Sequence, residues 1–209
     1  MRYLLTVLIG YLLGTFSPAM IVAKKKNRDL QNEGTGNLGA TNTFLTVGKK
    51  YGFIVMGFDM LKAIIAFRIG KKLLPLSAVG GLLGGGAAVV GHVFPFHNKF
   101  KGGKGLASLA GTILAYDPVI FFFLLVVTVS LVLIVNYSVA MPLTASLLFP
   151  IMAGLRDSSA SVFFIAALIG ALVIYKHWGN LLRARDGTDM KVREYLFGNR
   201  DKEREEKGN

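Results

Sequence analysis

Phe100-Lys101-Gly102-Gly103-Lys104-Gly105 sets two lysines among three glycines, between apolar stretches long enough to cross a bilayer. Backbone free of side chains lets N–H groups approach a ligand closely, and lysine ammonium groups add point charges. The chemistry such a run suits is the capture of an anion, a phosphate first of all. Gly91-His92-Val93-Phe94-Pro95 lies just before it, and the two stretches read as one block. It is not a nucleotide P-loop, because GxxxxGK[ST] requires Ser or Thr after the lysine and Gly105 stands there.

Two further polar stretches offer compatible chemistry. Gly34-Thr35-Gly36-Asn37-Leu38-Gly39-Ala40-Thr41-Asn42 combines turn-forming glycines, Gly36 among them, with the hydroxyls of Thr35 and Thr41 and the amides of Asn37 and Asn42. Alone it also reads as a loop capping the next helix. Lys176-His177-Trp178-Gly179-Asn180-Leu181-Leu182-Arg183 closes the last apolar run. On a continuing helix His177, Asn180 and Arg183 share roughly one face, although a Lys/His/Trp cluster also anchors helices at the membrane interface.

The elements that carry these stretches are membrane helices. The chain has 209 residues, 53% of them apolar and 17% charged, with a mean hydropathy of +0.52, outside the usual soluble composition. The formal charge of +12 sits in short clusters at the ends of apolar runs. That placement fits membrane lipid, anionic substrates and topology signals rather than nucleic acid. Cysteine is absent and the three histidines lack metal-ligand spacing, so no disulfide, metal or cofactor is expected.

Hydropathy and turn signals predict an all-α, polytopic protein with spans at 3–23, 51–69, 76–96, 105–116, 118–135, 138–155 and 160–178. The basic segments 24–50 and 97–104 and the tail from Lys176 belong in the cytoplasm by the positive-inside rule. Seven crossings, N-terminus outside and C-terminus cytoplasmic, put all three there; Lys71 and Lys72 run against the rule. Residues 1–198 read as one membrane-embedded domain and 199–209 as a polar tail, frayed or disordered. Gly80, Gly81, Gly84, Gly85 and Gly86 suit close helix packing, and Asp59 and Lys62 lie three apart, close enough to pair.

The three polar stretches closely resemble, in order and spacing, the motifs of the bacterial acyl-phosphate-dependent glycerol-3-phosphate acyltransferase family, known as PlsY: GTGNLGATN, GHVFPFHNKFKGGKG and KHWGNLLRARDGTD. The resemblance spans residues 1 to about 198. It implies a seven-helix enzyme of the bacterial inner membrane, with its site at the cytoplasmic face, that moves a fatty acyl group from acyl phosphate to glycerol 3-phosphate. The products are 1-acyl-glycerol 3-phosphate and inorganic phosphate. Serine is usual in the family at Thr35, arginine at Leu45, leucine at Ala184 and glutamate at Asp189. The missing charge at Leu45 leaves Lys49, Lys50 or Arg183 to replace it.

An acyl phosphate already carries a good leaving group, so the protein mainly orients the attacking hydroxyl and steadies charge. The residues agree: there is no cysteine and no GxSxG. The HxxxxD pair of acyltransferases using acyl-CoA or acyl carrier protein is missing, since His92, His97 and His177 are followed five residues later by His97, Gly102 and Leu182. The expected assignments put phosphate on Lys101, Gly102, Gly103, Lys104 and Gly105. Thr35, Gly36, Asn37, Thr41 and Asn42 complete the cradle, and Arg183 adds charge. His177, oriented by Asn180, hydrogen bonds the acceptor or acts as base; the acceptor's own phosphate is the rival base. His92 reads as structural. A transporter would use the same loops as an anion gate, against which stand few intramembrane charges and no visible inverted repeat. A lipid-head-group scaffold is the third class, and product formation separates all three. Oligomeric state is not legible in the residues.

Overall fold

The computed structural model describes residues 1–75, 78–189 and 191–193; the polar tail at 199–209 lies outside them. Nine α-helices and no strands occur among the described residues. The first expected span is two helices, α1 (Arg2–Thr15) and α2 (Pro18–Lys25). Pro18 breaks it: proline has no N–H to continue the ladder and pushes the residue before it out of helical geometry. Ser17 then caps α2 by accepting from the Met20 N–H at 3.4 Å. A loop leads to α3 (Ala40–Thr46) and α4 (Lys49–Leu73).

α5 (Val79–Val93) is the central helix, and its glycines explain why. A Cβ on Gly84 would meet backbone of α4 at Ala66, one on Gly85 would meet Thr112, and one on Gly86 would meet Ile169. Small residues on several faces let α5 approach several neighbours at once, rather than the one partner a single GxxxG stripe implies. After a 3-10 turn at Phe96–Asn98 come α6 (Leu106–Tyr116), α7 (Pro118–Val135), α8 (Ala140–Asp157) and α9 (Ala160–Arg185). Asp117 caps α7 through the Val119 and Ile120 N–H groups, at 2.8 and 3.2 Å, and pairs with Arg156 at 2.9 Å.

Phe67, Leu82, Val89, Val93, Leu109, Phe149, Val162 and Val173 form the buried core. The outer surface is apolar as well, with Val119, Phe122, Val126, Ile134, Phe164 and Leu168 exposed. An apolar exterior of this extent suits a hydrocarbon solvent. Arg2–Lys25, Val79–Asn98, Pro118–Val135 and Ala160–Arg185 are long and apolar enough to cross a membrane. α4 is long enough too, at 25 residues, but carries Asp59, Lys62 and Arg68 within it.

α6 is the outlier. Its 11 residues reach only about 16 Å at 1.5 Å per residue. It starts low because the chain between α5 and α6 dips into the bundle: a Cβ on Gly105 would touch Val89, Val93 and Val173, the last 12 residues short of the end of α9. The lysine-glycine run is thus recessed between helices rather than draped over their ends.

Candidate active site

Three polar stretches meet at one end of the bundle. Lys104 Nζ donates to Asn180 Oδ1 of α9, Gln31 Nε2 donates to Asn98 Oδ1 at 3.3 Å, and a Cβ on Gly103 would lie 2.9 Å from the Leu38 carbonyl oxygen. Lys104 and Gly105 run along the α9 face made by Val173, His177 and Asn180, which are spaced four and three apart, as one helix face requires.

The backbone geometry corrects the expectation for Gly102 and Gly103. Their N–H groups do not turn toward a ligand: Gly102 donates to the Val93 carbonyl and Gly103 to that of His92, both at 3.1 Å. Lys101, an exposed residue, donates its N–H to the Asn98 carbonyl at 2.9 Å. These glycines are needed for close approach instead, since a Cβ on Gly103 would run into the His92 ring. The free donors lie one step further along. Gly105, with φ at 89° in the left-handed region, turns the chain into α6 without a side-chain cap. The Leu106, Ala107 and Ser108 N–H groups have no carbonyl partner within their own helix, at the end where the helix dipole is positive.

Lys104 is half-buried. Burial holds its ammonium below the usual lysine range; the charges of Arg183 and Lys176 push the same way and that of Asp189 opposes them. An incoming phosphate reverses this balance, because it supplies the negative charge that a crowd of cations lacks. Arg183 also pairs with Asp189, Nε to Oδ1 at 3.4 Å. Lys49 and Lys50 are exposed at the start of α4.

His177 is buried, and its Nδ1 lies 2.8 Å from the Val173 carbonyl oxygen. A carbonyl only accepts, so this bond assigns the proton to Nδ1 and leaves Nε2 as the acceptor of a neutral ring. That nitrogen can receive a hydroxyl hydrogen.

The first stretch divides. Thr35, Gly36 and Thr41 are exposed and Asn37 half-buried, open to a ligand. Asn42, expected in the cradle, is fully buried. Its amide donates to the Leu30 and Glu33 carbonyls at 2.8 and 3.0 Å, and its oxygen accepts from the Thr35 N–H at 2.7 Å. With its bonding spent on the loop's own backbone, Asn42 shapes the cradle instead of lining it. Asp59 and Lys62 do pair, Oδ1 to Nζ at 2.7 Å. In the structure the pair includes His92, whose Nδ1 is 2.9 Å from Lys62 Nζ and 3.2 Å from Asp59 Oδ1. Ionisable residues within an apolar helix were the available signal. Among the described residues no group of His, Asp and Glu could hold a metal.

A helical bundle, strand-free among the described residues, with an apolar exterior and a recessed, cation-rich end defines an integral membrane protein. Comparison with known proteins narrows that class. The family model described as Glycerol-3-phosphate acyltransferase matches residues 4–187. Proteins named glycerol-3-phosphate acyltransferase in Aquifex aeolicus and Coxiella burnetii are similar: the first is 37% identical over 194 residues, 91% of this chain and 100% of the relative. The second is 38% identical over 197 residues, 92% and 100%. The crystal structure of PlsY (YgiH), an integral membrane glycerol 3-phosphate acyltransferase, in its glycerol 3-phosphate form has a TM-score of 0.86 at 34% identity, covering 92% of this chain and 96% of that one. Its lysphosphatidic acid form has a TM-score of 0.83, covering 91% and 95%. The chain belongs to the glycerol-3-phosphate acyltransferase family. It is an acyltransferase and a multi-pass membrane protein.

Proposed function

We propose that this protein transfers a fatty acyl group from acyl phosphate to the 1-hydroxyl of glycerol 3-phosphate, releasing 1-acyl-glycerol 3-phosphate and inorganic phosphate. The observation that supports the reading is the bond from Lys104 to Asn180 on the α9 face that also carries His177: a cation suited to phosphate near an imidazole suited to accept a hydroxyl hydrogen. The hydroxyl oxygen attacks the carbonyl carbon and forms the ester bond. The bond from that carbon to the phosphate oxygen breaks, and the phosphate leaves with the electron pair. The hydroxyl hydrogen is shared between His177 Nε2, which orients the acceptor, and a phosphate oxygen, which takes the proton as the ester bond forms, since an activated donor demands little of a base.

Lys104 and the opening turn of α6 hold phosphate and offset the charge of the leaving group. Thr35, Gly36, Asn37 and Thr41 complete the cradle, with Lys101 at its rim. Of the three residues that could replace the family's usual arginine at Leu45, Arg183 is favoured by its place on α9, three residues beyond the Asn180 that receives Lys104. Residues 1–198 act as one domain with seven crossings, the N-terminus outside and the C-terminus and site in the cytoplasm of a bacterial inner membrane. The coincidence of segments 24–50, 97–104 and 176–185 at one end of the bundle supports this topology, as does their charge.

Purified protein incubated with glycerol 3-phosphate should form lysophosphatidate with acyl phosphate and not with acyl-CoA. Efficient turnover on acyl-CoA alone overturns the donor assignment, and no product with either donor overturns the reaction.

A further inference from the structure

Asp59, Lys62 and His92 are the most deeply buried titratable side chains among the described residues, at 1%, 5% and 7% exposure. Lys62 Nζ has three hydrogens and three acceptors: Asp59 Oδ1 at 2.7 Å, the Phe16 carbonyl at 2.8 Å and His92 Nδ1 at 2.9 Å. His92 Nδ1 also lies 3.2 Å from Asp59 Oδ1, so the three side chains close into one mutually bonded cluster. The Nε2 edge of the ring abuts Gly103, where any Cβ would collide with it.

Buried ion pairs add little net stability compared with apolar packing, so such a cluster in a membrane bundle calls for a role. Its neighbours supply one. The carbonyls of His92 and Val93 hold the Gly103 and Gly102 N–H groups, and Lys104 follows directly. On the far side of Lys104, Ser108 Oγ in the first turn of α6 donates to the Asp59 carbonyl at 3.2 Å. The chain on one side of Lys104 is therefore held by His92 of α5 and on the other by Asp59 of α4, two members of the same cluster. The Phe16 carbonyl, in the break between α1 and α2, ties the same cluster to the N-terminal helices.

We propose that Asp59, Lys62 and His92 form a positioning unit that acts through Gly103 and Ser108 to set the place of the Lys104 ammonium beside Asn180. None of the three needs to touch substrate. The proposal rests on the reading of Lys104 as the phosphate-binding group.

A double-mutant cycle separates positioning from general support. His92→Ala should lower kcat/KM for acyl transfer about tenfold when Lys104 is present, and by less than about twofold in the Lys104→Ala background, because coupled residues lose a shared effect only once. Equal losses in the two backgrounds, or activity within twofold of the parent protein, overturn the proposal. If His92→Ala is not recovered folded, as read by the fluorescence of the single Trp178, Asp59→Asn replaces it under the same criteria. Amide hydrogen exchange provides a readout without catalysis: Gly102 and Gly103 should exchange faster in the variant, and α7 and α8 should not. Unchanged exchange at Gly102 and Gly103 also overturns the proposal. Faster exchange there in a protein whose parent transfers no acyl group defeats the reaction assigned above and leaves the positioning of the Lys104 segment by Asp59, Lys62 and His92 standing.

Discussion

Lys104 is the residue on which the site turns, because it is the cation that the recessed run delivers to α9. Lys104→Ala should reduce kcat/KM about 10–150-fold, the equivalent of one charge-assisted hydrogen bond of about 1.5–3 kcal/mol, with insertion and thermal stability kept. Activity within threefold of the parent would remove Lys104 from the machinery. His177 allows a sharper distinction, since its Nδ1 is committed to Val173 and only Nε2 faces outward chemistry. As an orienting acceptor, its loss in His177→Ala should raise the apparent KM for glycerol 3-phosphate about 2–12-fold, the worth of one ordinary hydrogen bond. The shape of the pH profile should persist. A normal KM with a collapsed rate and a vanished pH dependence would make His177 the base instead.

At the scale of elements, close packing around α5 is what allows its loop to be recessed. Gly84 presses on α4, and its own carbonyl receives Gly10 of α1, so side chains at this crossing would force two helix pairs apart. Gly84→Val should destabilise the protein by about 1–3 kcal/mol, the usual range for overpacking, visible as a lowered Tm in detergent. Gly57 provides the control: it sits in α4 with open space where a Cβ would go. Gly57→Ala should leave Tm unchanged or raised, because it restricts the unfolded chain without a clash. Equal losses at the two positions would contradict the central placement of α5.

For the whole molecule, the prediction is topological, and the absence of cysteine makes it clean to test. Single cysteines at Asn27, Lys99 and Arg185 should react with an impermeant thiol reagent only from the cytoplasmic side, and one at Asp157 only from outside. Lys99 and Arg185 on opposite sides would break the seven-crossing arrangement and separate Lys104 from its partners on α9. The seven-crossing arrangement would put Lys71 and Lys72 outside, against the rule, but the three segments at the opposite end of the bundle carry the larger basic excess.

Much of this was written in the residues themselves. Composition and apolar run length determine a helical membrane protein, since a bilayer admits only segments that satisfy their own backbone. The spacing of lysines, glycines and amides pointed to Lys104, His177 and Asn180, because side-chain chemistry and helical period are local properties. Tertiary structure decided what depends on where backbone groups point. It turned the Gly102 and Gly103 N–H groups inward, left the opening turn of α6 as the donor end, and made Asn42 a builder of its loop. It also joined His92, 30 residues distant in sequence, to Lys62. Hydrogen bonds between remote segments have no sequence period, and only the packing of α4 against α5 brings those partners within reach.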